Sequence, residues 1–400
     1  MYPFLLEAYE RLLDLTNLNF KRFLFDSFKP GRLTALIGPR GAGKTTLLLQ
    51  WIKSYADTKT AFYFAADSVY FQQMRLLEFV DQLYHLEGYR IFFIDEIHKY
   101  KNWNQEIKNL YDAFPDIKIV FSGSSQLELT QGSYDLSRRV SVYHLPGLSF
   151  REYLHFTQQS YFDPISLDEL LLHPKKLHSL ATVTKIAGHF KKYLRCGYYP
   201  FVVEDEQTHD ERVLRIIDKI IFEDIPNYFD LKTNHLYLFK KILGFLASIS
   251  PGDINIHTIA QNMQIAHQTL AHYLSILSQV GLIQMVYPFE GGNQYLRKPQ
   301  KIFLHNTSLL QACQKLVGEP VTVGTVRELY FLQALRDAQH EVFYAKPGDF
   351  RTQKHIFEIG GKNKKGKQIA EIKTPAFLVK DDILLSSHHA IPLMYFGFLY

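Results

Sequence analysis

The 400 residues exceed what one hydrophobic core organises, and a hydrophobic share of 46% suits a chain folded throughout, so two to four domains are expected. Forty-five Lys and Arg against 40 Asp and Glu leave a formal charge of +5, compatible with nucleic acid but far from a dedicated basic binder. Two cysteines, Cys196 and Cys313, exclude a disulfide framework or a cysteine-based zinc site and point to a reducing, cytoplasmic setting.

The opening MYPFLLEAYERLL lacks a basic region leading into an apolar run, so it does not read as a signal peptide. No stretch approaches the roughly 20 apolar residues of a membrane span, and no membrane partner is expected. Aromatic residues make up 14% of the chain and are spread along it, which favours core packing over base-stacking surfaces.

From residue 32 to 145 short apolar strands alternate with helical stretches, the pattern of an α/β domain on a parallel sheet. Strands are expected at Leu33–Ile37, Ala61–Phe64, Ile91–Ile94, Ile117–Phe121 and Val142–Leu145. Directly after the first comes GPRGAGKTT, residues 38–46. Gly38, Gly41 and Gly43 let this backbone curl so that successive N–H groups face one phosphate, and the following helix adds its positive end. The run Gly38, Pro39, Arg40, Gly41, Ala42, Gly43, Lys44, Thr45 and Thr46 is therefore the expected cradle for ATP. Lys44 is expected to bridge the β- and γ-phosphates and the Thr45 hydroxyl to coordinate Mg2+.

The strand Ile91–Ile94 delivers Asp95 and Glu96 to the sheet edge where ligands bind. Asp95 would serve magnesium through its water shell, and Glu96 would polarise the attacking water, which implies hydrolysis beyond binding. A solvated charge after a strand is the plainer alternative for Glu96. The strand Ile117–Phe121 ends in Ser122, Gly123, Ser124 and Ser125, able to sense the γ-phosphate or to form an ordinary turn. Arg138 and Arg139 could neutralise charge on the phosphates, within the chain or in a neighbouring subunit, or belong to a solvated surface.

Residues 146 to 230 turn helical, with a break at Gly197-Tyr198-Tyr199-Pro200, and read as a helical lid. Further on, Ile256–Met263 and Gln268–Gln279 flank a short connection and precede the apolar run Leu282–Val286, which fits a winged helix. Its helix Gln268–Gln279 is expected to bury Leu270, Leu274 and Leu277 and to expose Gln268, His272, Ser275 and Gln279. No Lys or Arg occurs from Ile256 to Gln284, so groove docking is poorly supported and a structural use against the lid is at least as well founded. From 321 to 400 the α/β character returns, with a helix near Arg327–Asp337, strands near Val342–Ala345 and Ile356–Ile359, and a Lys- and Gly-rich turn at 360–367. The expected divisions are 1–145, 146–230, 231–300 and 301–400.

GPRGAGKTT, DEIHKYKNWNQEIKNLYD from Asp95, FSGSSQLEL from Phe121 and RRVSVYHLPGLSFREYL from Arg138 together resemble a family of bacterial and archaeal AAA-type ATPases. Members carry a helical lid, a winged helix and a restriction-endonuclease-like C-terminal domain. CGYYPFV around Pro200, FLHNTSLL from Phe303 and FEIGGKNKKGKQI from Phe357 extend the likeness over most of the chain. The resemblance implies an α/β fold: a P-loop NTPase parallel sheet, then lid, winged helix and an α/β nuclease-like domain. It also implies that Arg139 is the family's arginine and Ser124 its sensor. No settled biological role comes with the family.

Nucleases of this type place an acid, then a second acid and a lysine one residue apart on a strand, around magnesium. Asp349 and Glu358 are candidate acids, with Glu328 joining from the preceding helix. The lysine position is Gly360; Lys362 shares the strand face but reaches back only if the strand continues past two glycines. Glu371-Ile372-Lys373 has the required order on a plausible strand, without an upstream acid at close range. Residues 351 to 380 hold eight Lys or Arg and two acids, a basic segment able to contact DNA or simply a solvated loop. The expected function is Mg-dependent ATP hydrolysis by a nucleotide-driven switch acting on DNA or a protein partner. Its alternatives are an ATP-gated DNA nuclease and a non-catalytic ATP-binding adaptor. A ring, a pair and a solitary chain are all compatible with the sequence.

Overall fold

The computed structural model describes residues 3–123, 136, 138–229, 231, 235–252, 256–289, 298–318, 322–387 and 390–400. It divides into two compact units, Met1–Gly147 and Leu148–Tyr400.

Among the described residues, the first unit is built on a five-stranded parallel sheet: β1 Leu33–Ile37, β2 Ala61–Ala65, β3 Ile91–Asp95, β4 Lys118–Gly123 and β5 Ser141–His144. β1 and β3 are near-continuous apolar runs because the interior strands of a parallel sheet are covered on both faces. Helices α1 Pro3–Leu15, α2 Lys44–Tyr55, α3 Leu76–Gln82 and α4 Trp103–Ala113 supply that cover. The aromatic content is spent here on packing: Phe79 of α3 meets Phe62 and Phe64 of β2 with ring centroids 6.0 and 5.2 Å apart.

The strand order is β2-β3-β4-β1-β5, so β4 lies between β1 and β3. All pairings are parallel, and Ile37 at the end of β1 is opposite Gly123 at the end of β4. The carboxyl ends of β1, β3 and β4 therefore open on one edge, where the segments 38–43, 95–96 and 122–123 meet.

The second unit begins with α5 Phe150–Gln158, whose first turn is closed by a capping box between Ser149 and Glu152, and continues with α6 Leu167–Leu172, α7 Ile186–Cys196 and α8 His209–Lys219. Next come α9 Leu236–Ser248, α10 Ile256–Asn262 and α11 His267–Gln279, then an antiparallel pair of β6 Ile283–Val286 with β7 Lys301–Leu304. That pairing carries the hairpin across the 300/301 division expected from the sequence. In α11, Leu270, Leu274 and Leu277 are buried as expected from their spacing, but Ser275 is half-buried and accepts a hydrogen bond from Gln279 at 3.0 Å.

Helices α12 Thr307–Val317 and α13 Val323–Asp337 lead to a second five-stranded sheet among the described residues, ordered β12-β11-β10-β9-β8. Its strands are β8 Phe343–Tyr344, β9 Phe350–Arg351, β10 Ile356–Gly360, β11 Ala376–Lys380 and β12 Ile391–Pro392. Glu371, Ile372 and Lys373 lie in the turn ahead of β11 and not on a strand, so strand alternation does not bring Glu371 and Lys373 together. Cys196 and Cys313 are buried free thiols. Among the described residues no helix is long and apolar enough to cross a membrane.

Candidate functional site

The loop joining β1 to α2 takes its shape from glycine. Gly41 and Gly43 have φ of 82° and 92°, in the left-handed region that residues with a Cβ avoid. Gly38 is required for a different reason: a Cβ there would stand 2.0 Å from the Leu145 carbonyl oxygen. Lys44 opens α2, is buried, and donates from its ammonium to the carbonyls of Gly38 at 3.0 Å and Pro39 at 3.2 Å. Curled backbone and helix N-terminus together make a cradle for an anion.

A second support comes from outside the motif. Arg22, 6% exposed, donates to the carbonyls of Ala42 at 2.5 Å and of Pro146 and Gly147 at 2.8 Å each. It ties the underside of the loop to the segment that follows β5.

Asp95 ends β3 beneath this loop and is buried. Its Oδ2 accepts from the Thr45 hydroxyl at 2.5 Å and from the Tyr63 phenol at 2.8 Å, while Oδ1 accepts from the Ser122 hydroxyl. Burial first, and then the Asp95 charge, hold the Tyr63 phenol far above its ordinary range, so it stays a donor. Thr45 and Asp95 are the residues that would hold magnesium. One hydroxyl and one carboxylate leave most of an octahedral shell to phosphate oxygens and water, the donor set this ion favours. Among the described residues no group of three or more His, Cys, Asp or Glu is arranged to hold a metal alone.

Glu96 follows in the left-handed conformation, φ 50° and ψ 40°, fixed by its N–H donating to Asp95 Oδ1 at 3.1 Å and Ser122 Oγ at 3.2 Å. Its carboxylate lies 3.4 Å from the Arg40 guanidinium and 3.5 Å from His98 Nε2. Burial, helped by the charges of Lys99, Lys44 and Arg40, lowers His98 to about 3, so its imidazole is neutral at ordinary pH.

Ser124 lies outside the described residues. Arg138 and Arg139 precede β5, which runs parallel to β1 with Thr34 opposite Ser141, so they occupy the sheet edge opposite the loop. Arg139 pairs there with Asp112 at 3.1 Å and lies over the Tyr111 ring. Its partners in this structure are therefore Asp112 and Tyr111 and not the loop 38–43.

In the second unit, Glu328 on α13 and Asp349 ahead of β9 share Lys301 of β7, whose ammonium lies 2.7 and 3.6 Å from them. Glu358 in β10 is buried and pairs with Lys364 at 3.1 Å. Lys364, not Lys362, is the lysine of this cluster. β10 stops at Gly360 and the chain turns back, with Lys364 N–H donating to the Gly361 carbonyl at 3.0 Å. A Cβ on Gly360 would fall 2.6 Å from the Lys364 side chain, so the missing side chain makes room for the lysine stem. Lys362 is exposed, and its carbonyl accepts from Lys380. Burial raises the Glu328 carboxyl above its ordinary value, with Lys301 opposing the shift and Asp349 adding to it.

Residues 30–154 match the family model of the AAA domain. This part of the chain is an AAA-type P-loop ATPase domain. Downstream of the AAA domain, residues 187–319 match a domain of unknown function. An uncharacterised protein of Methanocaldococcus jannaschii is 29% identical over 316 residues, covering 73% of this chain; the match spans 66% of that relative's length, just under two thirds. Among solved structures, the Thermotoga maritima RuvB Holliday junction branch migration motor is 18% identical, covering 79% of this chain and 95% of that one with a TM-score of 0.31. PCH-2 of C. elegans is 16% identical over 38% of this chain and 45% of its own, with a TM-score of 0.24. Superpositions this loose say nothing of what the AAA domain acts on.

Proposed function

We propose that the chain binds and hydrolyses MgATP at residues 38–46 and uses the nucleotide state as a switch on DNA or a protein partner. The observation carrying this is the meeting of the Thr45 hydroxyl with Asp95 Oδ2 at 2.5 Å, with Lys44 and Glu96 on the same sheet edge. Loop amides and the α2 N-terminus bind the phosphates, and Lys44 exchanges its loop carbonyls for β- and γ-phosphate oxygens. Thr45 and Asp95 would hold magnesium, whose chemistry is to draw charge from the phosphate oxygens. Tyr63 and Ser122 orient Asp95 by donating to it, and Glu96 orients water and takes its proton. Arg139 would act on the phosphates of a neighbouring subunit, which makes an oligomer part of this account.

Helices α5–α8 would serve as the lid and α9–α11 with the β6–β7 hairpin as a winged helix. The fold of α13 with β8–β12 would be nuclease-like, its basic segment 351–380 offering a phosphate contact and a cytoplasmic protein its setting. Steady-state ATP turnover by wild type and Lys44→Ala, with and without duplex and single-stranded DNA, tests this. Turnover lost on substitution supports it; a wild type that neither binds nor hydrolyses ATP sinks it. Stimulation by DNA makes DNA the partner, and indifference to DNA favours a protein.

A second reading, an ATP-gated Mg-dependent DNA nuclease, draws on the cluster of Glu328, Asp349, Glu358 and Lys364. Two lysines already compensate these carboxylates, which favours an ion-pair cluster that holds the fold. Cleavage of plasmid DNA with magnesium or manganese that disappears on Glu358→Gln would reverse that preference.

A further inference from the structure

Arg40 and Glu96 come from different elements, the loop after β1 and the end of β3, and meet as an ion pair of 3.4 Å with side chains 17% and 21% exposed. The Glu96 backbone is pinned by its bonds to Asp95 and Ser122, so the direction in which its carboxylate leaves the sheet is set. What varies is where the carboxylate rests, and Arg40 brings it a full positive charge while His98 brings a neutral imidazole. Arg40 is also part of the phosphate loop itself, three residues ahead of Gly43 and the helix that ends the cradle. A terminal phosphate seated on this loop competes with Glu96 for the same guanidinium, and it offers charge and paired oxygens that suit the planar fork.

We infer that Arg40 is a positioning residue that reads the γ-phosphate: it restrains Glu96 until a terminal phosphate draws the guanidinium away and frees the carboxylate to face water. This rests on the proposal that residues 38–46 bind ATP and that Glu96 is the base. A static brace between the loop and β3 would make the opposite demand, since its loss would affect nucleotides with two and three phosphates alike.

Equilibrium calorimetry with magnesium and either ADP or the non-hydrolysable analogue AMP-PNP separates the two. It uses the full chain as wild type, Glu96→Gln, Arg40→Ala, Arg40→Lys and the Arg40→Ala/Glu96→Gln double variant. Glu96→Gln removes the carboxylate that competes for Arg40, so AMP-PNP tightens about three- to fivefold, the scale of a partly exposed ion pair, while ADP holds within about twofold. Arg40→Ala weakens AMP-PNP about tenfold with ADP again unchanged, and Arg40→Lys falls between. In the Arg40→Ala background the gain from Glu96→Gln disappears, because the interaction it relieves is gone. Retained ADP affinity certifies a folded cradle in each variant. Parallel losses of ADP and AMP-PNP on Arg40→Ala, or an equal gain from Glu96→Gln with and without Arg40, would overturn the inference while leaving the ATP site standing. Wild type binding neither nucleotide would overturn the ATP-site proposal and the inference with it.

Discussion

Replacing Arg22 by Met removes a guanidinium that donates to three backbone carbonyls, those of Ala42, Pro146 and Gly147, from a site 6% exposed. Each buried carbonyl stripped of its donor costs about 1–3 kcal/mol, and relief from burying a charge offsets part of the sum. The net is about 3–4 kcal/mol, a large share of the roughly 5–15 kcal/mol that holds a native domain. Trp51 and Trp103 are the chain's two tryptophans and both belong to the first unit, so tryptophan fluorescence during urea unfolding reports that unit. With a slope near 2 kcal/mol per molar, the midpoint should fall by about 1.5–2 M. Arg22→Lys should recover part of this, since an ammonium donates but cannot span the fork. A midpoint for Arg22→Met within about 0.3 M of wild type would refute the claim that Arg22 holds the loop to the segment after β5.

Lys301→Met leaves Glu328 and Asp349 without their shared ammonium, at a cost of about 2–3 kcal/mol near pH 7.5, read as faster hydrogen exchange along β10. Glu328 already has a raised folded pKa, so its stability contribution is full below the unfolded value and lost as pH rises through the folded one; losing Lys301 raises it further. The deficit should therefore shrink toward pH 5, and a deficit independent of pH would contradict this electrostatic account. His98 is the opposite case: its pKa is depressed from 6.5 to about 3, so its contribution is present above 6.5 and fades as pH falls toward 3. The pH slope of the first unit's unfolding free energy, from urea titrations, should flatten across that window in His98→Asn by up to about 1.4 kcal/mol per pH unit, and equal slopes in both proteins would count against a buried neutral imidazole. Tyr63→Phe deletes a donor to Asp95, which keeps Thr45 and Ser122, and should slow ATP turnover about three- to tenfold. Unchanged turnover would remove Tyr63 from the positioning of Asp95.

The parts of the AAA domain written as local patterns were legible in the sequence. The five strands fall within two residues of their expected ends, and β1, β3 and β4 stand out as runs because interior parallel strands are apolar on both faces. The phosphate loop was equally readable, since its glycines and Lys44 are neighbours in sequence. Groups that enter from distant elements were not: Arg22, Tyr63 and Lys301 belong to no motif, and only strand order and packing bring them to Ala42, Asp95 and Glu328. Lys364 was missed for a different reason. Strand alternation points from Glu358 to Lys362, yet the strand ends at Gly360 and the turn returns a later lysine. Arg139 carried no signal of its edge, because that depends on β5 pairing parallel to β1.

The most direct test of the central claim is steady-state ATP hydrolysis by wild type and Glu96→Gln, with ATP binding measured on the same preparations. Turnover that falls by about 100-fold or more in the variant while binding persists is the predicted result. Equal turnover in the two proteins would contradict the role given to Glu96 and the hydrolytic switch built on it.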